Sequence, residues 1–191
     1  MHHSQQDFRR PAWTRRLAAG LLTLGLAAGG AAAQAQSDPA DRSGVGVSLG
    51  IGEHYQRAML YYETPALWSY GFGENWGRLD LVGELGAAYW TADGSRHPGS
   101  LWQLSATPMF RWWTGERFYL EAGIGANLFS RTRFADKTIS TAFQFGDHIG
   151  LGFMLTPSSR LGLRYSHFSN ASIKRPNPGL NILQLNYTYQ F

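Results

Sequence analysis

The chain has 191 residues, no cysteine and a net charge of +4. Four arginines and one aspartate within residues 7–16 contribute +3 of that charge, so the remainder of the chain is close to neutral. A near-neutral body argues against nucleic-acid binding, and an exported domain without disulfide bonds must be stabilised by packing or by a membrane.

The first 35 residues have the pattern of a secretory signal peptide. Basic residues at 9–16 precede an uncharged stretch at 17–33, and the small-x-small sequence Ala33-Gln34-Ala35 follows. A transmembrane anchor is the alternative, but the uncharged stretch is about as short as a membrane span can be. Cleavage after Ala35 would leave 156 residues, with a short tether at 36–43 and one folded domain at 44–191.

From residue 44 onward the hydrophobic period is two, which predicts β-strands rather than helices. Turn-forming sequences such as Asp93-Gly94-Ser95 and Pro157-Ser158-Ser159 separate the apolar runs. After the leader, no apolar run is long enough for a membrane-spanning helix. The eight strands predicted in chain order are Gly44–Glu53, Gln56–Glu63, Trp76–Ala92, Ser100–Trp113, Arg117–Ser130, Thr138–Leu155, Arg160–Ser169 and Leu180–Phe191.

The two faces of these strands differ in a way that favours a membrane barrel over a soluble lipocalin-like barrel or sandwich. Isolated charges lie on the less apolar face of several strands. Aromatic residues cluster near the ends of the runs, as in the aromatic girdles of outer-membrane barrels. A sheet in hydrocarbon must close, and eight strands enclose side chains rather than a pore. We therefore predict an all-β, eight-stranded antiparallel transmembrane β-barrel. The charges expected to pair inside it are Asp80, Glu84, Arg111, Glu121 and Arg164.

The seventh run ends with a potential base, His167, and a potential nucleophile, Ser169. Both share the apolar face of their strand, where polar groups are costly unless they have partners. Asn181 has the same orientation in the last run, and a hairpin that folds near Lys174 would place it across from His167. With the termini taken as periplasmic, these side chains meet on the lipid-facing wall at outer-leaflet depth.

These residue types predict a serine esterase. His167 would take the proton of Ser169, and Asn181 would fix the imidazole tautomer. The Asn170 side chain and backbone N–H groups of the following loop would stabilise the developing oxyanion. The alternative is that His-x-Ser arises by chance, that these polar groups simply lie in the headgroup zone, and that 176–179 is only a turn.

A family resemblance supports the esterase. Residues 164–179 and the closing sequence at 187–191 resemble the PagL-type lipid A 3-O-deacylases. Members of that family are eight-stranded outer-membrane barrels that release the ester-linked acyl chain at position 3 of lipid A. The resemblance implies that His167 is the catalytic histidine and Ser169 the catalytic serine.

The same resemblance implies an oxyanion-hole role for Asn170 and a loop-ordering role near the site for Asn177. The acidic third member of the family's site aligns with Asn181, which is a departure. An amide orients a histidine but does not stabilise the imidazolium, and in a serine protease an Asp→Asn change lowers turnover by about 10⁴. The enzyme would therefore be slower, would need the third residue only to orient His167, or would use another acidic residue to stabilise the imidazolium.

The leading hypothesis is an outer-membrane serine esterase acting on lipopolysaccharide, with outer-membrane lipid around it and no cofactor or metal. One alternative is a non-catalytic barrel that binds lipopolysaccharide or serves as a structural protein. Another is a phospholipase or acyltransferase that uses the same residues. A homodimer would shelter the site, although the sequence does not reveal one. His148 is expected to point into the barrel, since it shares the face of Gln144 and Gly146.

Overall fold

The computed structural model describes residues 39–73 and 76–191. The predicted leader and the first part of the tether lie outside these residues. Pro39–Asp41 form one turn of 3-10 helix, and no helix in the described part of the chain is long and apolar enough to cross a bilayer.

The end of the predicted tether is bound to the folded domain. Arg42 Nη1 donates a hydrogen bond to the Pro157 carbonyl at 2.9 Å, and Ser43 Oγ hydrogen-bonds Tyr62 Oη at 2.8 Å. Residues 42 and 43 are therefore hydrogen-bonded to the barrel and are not a free tether.

The described chain forms a closed antiparallel sheet of eight long strands. Three short strands lie in the connections. The strands are β1 (Gly44–Ile51), β2 (Tyr55–Glu63), β3 (Trp68–Gly71), β4 (Arg78–Ala92), β5 (Ser100–Trp113), β6 (Phe118–Phe129), β7 (Arg133–Phe134), β8 (Lys137–Thr138), β9 (Phe143–Thr156), β10 (Ser159–Ser169) and β11 (Leu180–Gln190). The long strands are ordered β2-β1-β11-β10-β9-β6-β5-β4, and pairing of β2 with β4 closes the ring. The prediction of an eight-stranded antiparallel barrel is confirmed.

The predicted strands are present, with differences at their ends. The predicted run Thr138–Leu155 was wrong in its first residues, because β9 starts at Phe143. The chain turns just before it, where Ser140 adopts a φ of 65°. The short strand β3, which pairs with β4, was not predicted, and β4 begins two residues later than expected.

The apolar face of the sheet points outward and the polar face points inward. Leu60 is 68% exposed and Ile149 is 65% exposed, whereas Glu84 is 2% exposed. A soluble barrel or sandwich would bury its apolar face, so the lipocalin-like alternative is wrong. A continuous apolar band around a closed sheet is the surface of a membrane barrel.

The barrel has two distinct ends. The terminal end carries the start of β1 and the end of β11, which pair through Gly44 and Gln190. The loop end, opposite, carries the connections 93–99, 130–142 and 170–179. Side chains fill the interior at both ends, as predicted for a barrel without a pore. An aromatic cluster closes the loop end and includes Tyr55, Trp90, Phe129, Phe134 and Phe168; Trp113, Tyr119 and Met154 pack at the terminal end.

Between these clusters lies a network of buried ion pairs. Arg164 binds both oxygens of Glu84 at 2.7 and 2.8 Å and one oxygen of Glu121 at 2.7 Å. Arg111 contacts Glu63 at 2.9 Å and Glu121 at 3.4 Å. The predicted pairing of charges inside the barrel is confirmed. Every charge in this network has an opposite partner, which compensates for its removal from water.

The remaining predicted charge, Asp80, is also buried and pairs with Arg78 at 2.9 Å. Arg160, which was not predicted to point inward, binds Glu63. Both guanidinium groups lie toward the terminal end, since Arg78 begins β4 and Arg160 lies near the start of β10.

The network generates a stability prediction. Arg164→Met removes the main partner of both Glu84 and Glu121 and leaves buried carboxylates undercompensated, so we expect a loss of about 3 kcal/mol in the free energy of unfolding. Urea unfolding of the refolded protein in detergent micelles measures this loss. Leu163→Met, one residue away on the lipid-facing side, is the control. Equal stability of the two variants would contradict the assignment of Arg164 to the network.

Candidate active site

Three polar residues form one row across neighbouring strands near the loop end. His167 in β10 lies directly opposite Asn181 in β11 and directly opposite Asp147 in β9. All three lie on the outward face, where apolar residues such as Ile149 and Leu163 are exposed. The predicted juxtaposition of residues 167 and 181 on the barrel wall is confirmed.

The imidazole of His167 is held by Asn181. Its Nδ1 lies 2.6 Å from the amide oxygen Oδ1 of Asn181. Because an amide oxygen only accepts hydrogen bonds, Nδ1 is the donor and carries the ring proton. In the neutral form of the ring, the other nitrogen, Nε2, then bears the lone pair.

Ser169 lies two residues beyond His167 on the same face, which corresponds to about 6.6 Å along a strand. Both side chains are half-buried. Ser169 Oγ accepts a hydrogen bond from the Ala171 N–H at 3.4 Å. Within the described chain no hydrogen bond joins the side chains of His167 and Ser169.

The chain leaves Ser169 through a strained turn. Ala171 and Ser172 have φ values of 51° and 63°, in the left-handed region. Each such non-glycine residue costs about 1 to 3 kcal/mol, and such strain clusters at functional sites. The turn directs the loop away from the strand immediately after the hydroxyl.

Asn170 and Asn177 order this loop from within. Asn170 is fully buried, and its Nδ2 donates to the carbonyls of Ile139 at 3.1 Å and Lys174 at 2.8 Å. Its backbone N–H donates to Asn177 Oδ1 at 3.1 Å. Asn177 thus contacts the start of the loop, and its loop-ordering role stays a prediction. The oxyanion role of the Asn170 side chain stays a prediction, and its N–H groups are engaged by carbonyls in this conformation.

The connection 130–142 supports the site loop from the other side. Besides the Ile139 contact, Ser140 Oγ donates to the Pro176 carbonyl at 2.6 Å. The connection is itself anchored, since Lys137 Nζ donates to Glu53 Oε2 at 3.1 Å and holds the pKa of that carboxyl below its ordinary value. The site loop is therefore hydrogen-bonded to the connection 130–142, which is itself bonded to Glu53.

Gly179 lets the His167 ring occupy its position. Its φ is +68°, and a Cβ built on it would lie 2.5 Å from His167 Cε1. Any side chain at position 179 would displace the ring.

Asp147, which was not among the predicted site residues, lies in the same row as His167 and Asn181. Its side chain is exposed on the outward face. A signal was present, because the carboxylate interrupts the apolar alternation between Phe145 and Ile149. The next residue, His148, points inward as predicted, and its Nδ1 lies 2.6 Å from Ser166 Oγ. Within residues 39–73 and 76–191, no three His, Asp or Glu side chains cluster as a metal site.

An eight-stranded barrel with an apolar outer wall and a histidine, serine and amide on that wall belongs to the class of outer-membrane barrels. Residues 50–190 match the family of the lipid A 3-O-deacylases (PagL). The chain belongs to that family.

Relatives agree with this assignment. The chain is 70% identical over 172 residues to the lipid A deacylase PagL of Bordetella bronchiseptica, covering 90% of this chain and 94% of the relative. It is 32% identical over 149 residues to the lipid A deacylase PagL of Pseudomonas aeruginosa, covering 74% and 83%. The crystal structure of the outer membrane enzyme PagL matches with a TM-score of 0.68 at 29% identity, covering 76% of this chain and 98% of that one.

The geometry around Gly179 generates a prediction. In Gly179→Ala the new methyl group collides with the His167 ring, so we expect the Nδ1 hydrogen bond to Asn181 to break. Imidazole ¹⁵N chemical shifts in micelles report this loss. Gly94→Ala is the matched control, since its φ is +65° and a Cβ there meets only the tip of Arg96 at 3.9 Å. Identical His167 shifts in both variants would count against the contact.

Proposed function

We propose that this chain is a serine esterase that removes the acyl chain ester-linked at position 3 of lipid A in the outer membrane. The observation that carries the proposal is the hydrogen bond from His167 Nδ1 to Asn181, which leaves Nε2 as a base on the lipid-facing wall. Ser169 lies beside it on the same face, and the relatives from two organisms are named lipid A deacylases.

The reaction follows from these roles. Ser169 Oγ attacks the ester carbonyl carbon while His167 Nε2 takes the hydroxyl proton. The tetrahedral intermediate collapses, the bond to the sugar oxygen breaks, and His167 returns the proton to that oxygen. Water then attacks the acyl-serine ester, with His167 again taking and returning a proton, and releases the fatty acid.

Donors for the oxyanion come from the loop. Asn177 Oδ1 is occupied by the Asn170 N–H, so the amide Nδ2 is directed elsewhere, and within the described chain it has no acceptor. The Ala171 N–H already points at Ser169 Oγ. We assign these two donors to the oxyanion and assign Asn170 chiefly to the order of the loop that holds them.

The wall beside the site fits acyl chains. A shallow cavity of about 440 Å³ extends over β10, β11, β1, β2 and β4 on the outer face, and its lining is mainly apolar. Among its lining residues are Leu49, Ile51, Ala58, Leu163, Leu183 and Leu185. A lipid that diffuses laterally in the leaflet reaches this surface without a deep pocket. The proposed mechanism needs one chain, and the homodimer stays an untested prediction.

Export through a cleaved leader at 1–35 belongs to the same proposal, since the substrate lies in the outer membrane. The basic start, the uncharged middle and the small-x-small end support it.

The test is substitution of the two reacting side chains. Ser169→Ala removes the nucleophile and His167→Ala removes the base, so we expect each to lower deacylation by at least about 10³-fold. Mass spectrometry of lipid A from cells that produce each variant measures the loss of one acyl chain. Ser95→Ala and His54→Ala, in other connections at the loop end, are the matched controls.

Full deacylation by folded Ser169→Ala protein would sink the proposed mechanism. Purified protein offered phospholipid and lipopolysaccharide in parallel separates the substrate classes. Hydrolysis of phospholipid alone would identify a phospholipase instead, and transfer of an acyl chain without release of fatty acid would identify an acyltransferase.

A further inference from the structure

We propose that Asp147 supplies the negative charge that Asn181 lacks, and that it acts on His167 as a positioning residue from the opposite side of the imidazole. This inference rests on the proposed esterase function. In a Ser-His-Asp site, one carboxylate both orients the histidine and stabilises its positive charge. Here Asn181 would do the first and Asp147 the second.

The placement of Asp147 supports this role. In the row across the sheet, β9 contributes Asp147, β10 contributes His167 and β11 contributes Asn181. Side chains directly opposite each other on one face have Cβ atoms about 4.5 to 5.5 Å apart. Asp147 and Asn181 are therefore the two cross-strand neighbours of His167, one on each side of β10.

The surroundings of Asp147 make a purely structural role costly. Its neighbours on the outward face include Ile124, which is 62% exposed, and Ile149, which is 65% exposed. A carboxylate on an apolar membrane wall is expensive unless a partner compensates it. Within residues 39–73 and 76–191 this carboxylate has no hydrogen bond and no ion pair. Acids inside the barrel such as Glu84 and Glu121 are, by contrast, paired with arginines.

The proposed reaction provides a partner for the Asp147 carboxylate, namely the imidazolium of His167. When His167 takes the proton of Ser169 it becomes positively charged beside acyl chains, where the dielectric constant is low and charges interact strongly. Asn181 orients the ring but is neutral. A negative charge one ladder position away stabilises the imidazolium as it forms, and it does so without displacing the Asn181 hydrogen bond.

The experiment is a double-mutant cycle at positions 147 and 181 with the full-length protein in lipopolysaccharide–detergent micelles. We expect Asp147→Asn to lower kcat by about 10- to 100-fold with little change in KM. Asn181→Glu alone provides the fourth corner of the cycle, and we expect its kcat to exceed that of the double variant by a smaller factor than the loss that Asp147→Asn causes by itself. In the Asp147→Asn protein, adding Asn181→Glu should restore most of the lost rate, because a carboxylate again adjoins the imidazole.

Controls separate charge from folding. Asp93→Asn removes a carboxylate from the connection between β4 and β5 and should leave kcat unchanged. Asp147→Leu matches the apolar wall, provides a second variant without the charge and should lose as much rate as Asp147→Asn. The shift in electrophoretic mobility on heating reports the folded barrel for each variant.

Three outcomes overturn the inference. One is unchanged kcat in both folded Asp147 variants. Another is a rise in KM that Asn181→Glu does not correct, which would assign Asp147 to a polar group of the substrate. The third is equal rate loss with and without Asn181→Glu. Absence of lipid A deacylation by the unsubstituted protein would sink the proposed function itself, and so the two failures are distinguishable.

Discussion

Closure of the sheet is the constraint on which the rest of this structure depends. In hydrocarbon every backbone N–H and C=O needs an internal partner, and pairing of β2 with β4 provides it for the edge strands. Once the ring is closed, each strand has one face toward lipid and one toward the interior. Buried arginines and glutamates can then pair inside, while leucines and isoleucines face outward.

The same closure places the site. His167, Ser169 and Asn181 lie on the outer wall, where polar side chains are costly unless they have partners, and His167 and Asn181 are hydrogen-bonded to each other. The residues that alternate with His167 and Ser169 point inward. Phe168 packs in the aromatic cluster, and Asn170, just after β10, donates hydrogen bonds to the carbonyls of Ile139 and Lys174. The packed interior thus supports the strand from which His167 and Ser169 project outward.

Much of this was readable from the alternation of residues. The outward orientation of His167 and the inward orientation of Arg164 follow from local periodicity, whereas the pairing of residue 167 with 181 needed the further assumption that the hairpin folds near Lys174. The start of β9 could not be read from this alternation. The chain adopts a left-handed backbone conformation at Ser140, within the run predicted as a strand, so β9 begins only after it. The family resemblance predicted His167 and Ser169 as the reacting pair and implied that Asn181 stands where the family has an acid.

What the sequence by itself determined was the face on which each residue lies, since side-chain direction in a strand depends only on parity. Which residues meet across strands was decided by the tertiary structure. A bulge between Ser159 and Arg160 shifts the pairing of β9 and β10 by one residue. Without it, counting from the turn would set His148 opposite His167, and with it Asp147 takes that place. The physical reason is that one unpaired residue changes every later partner along a ladder.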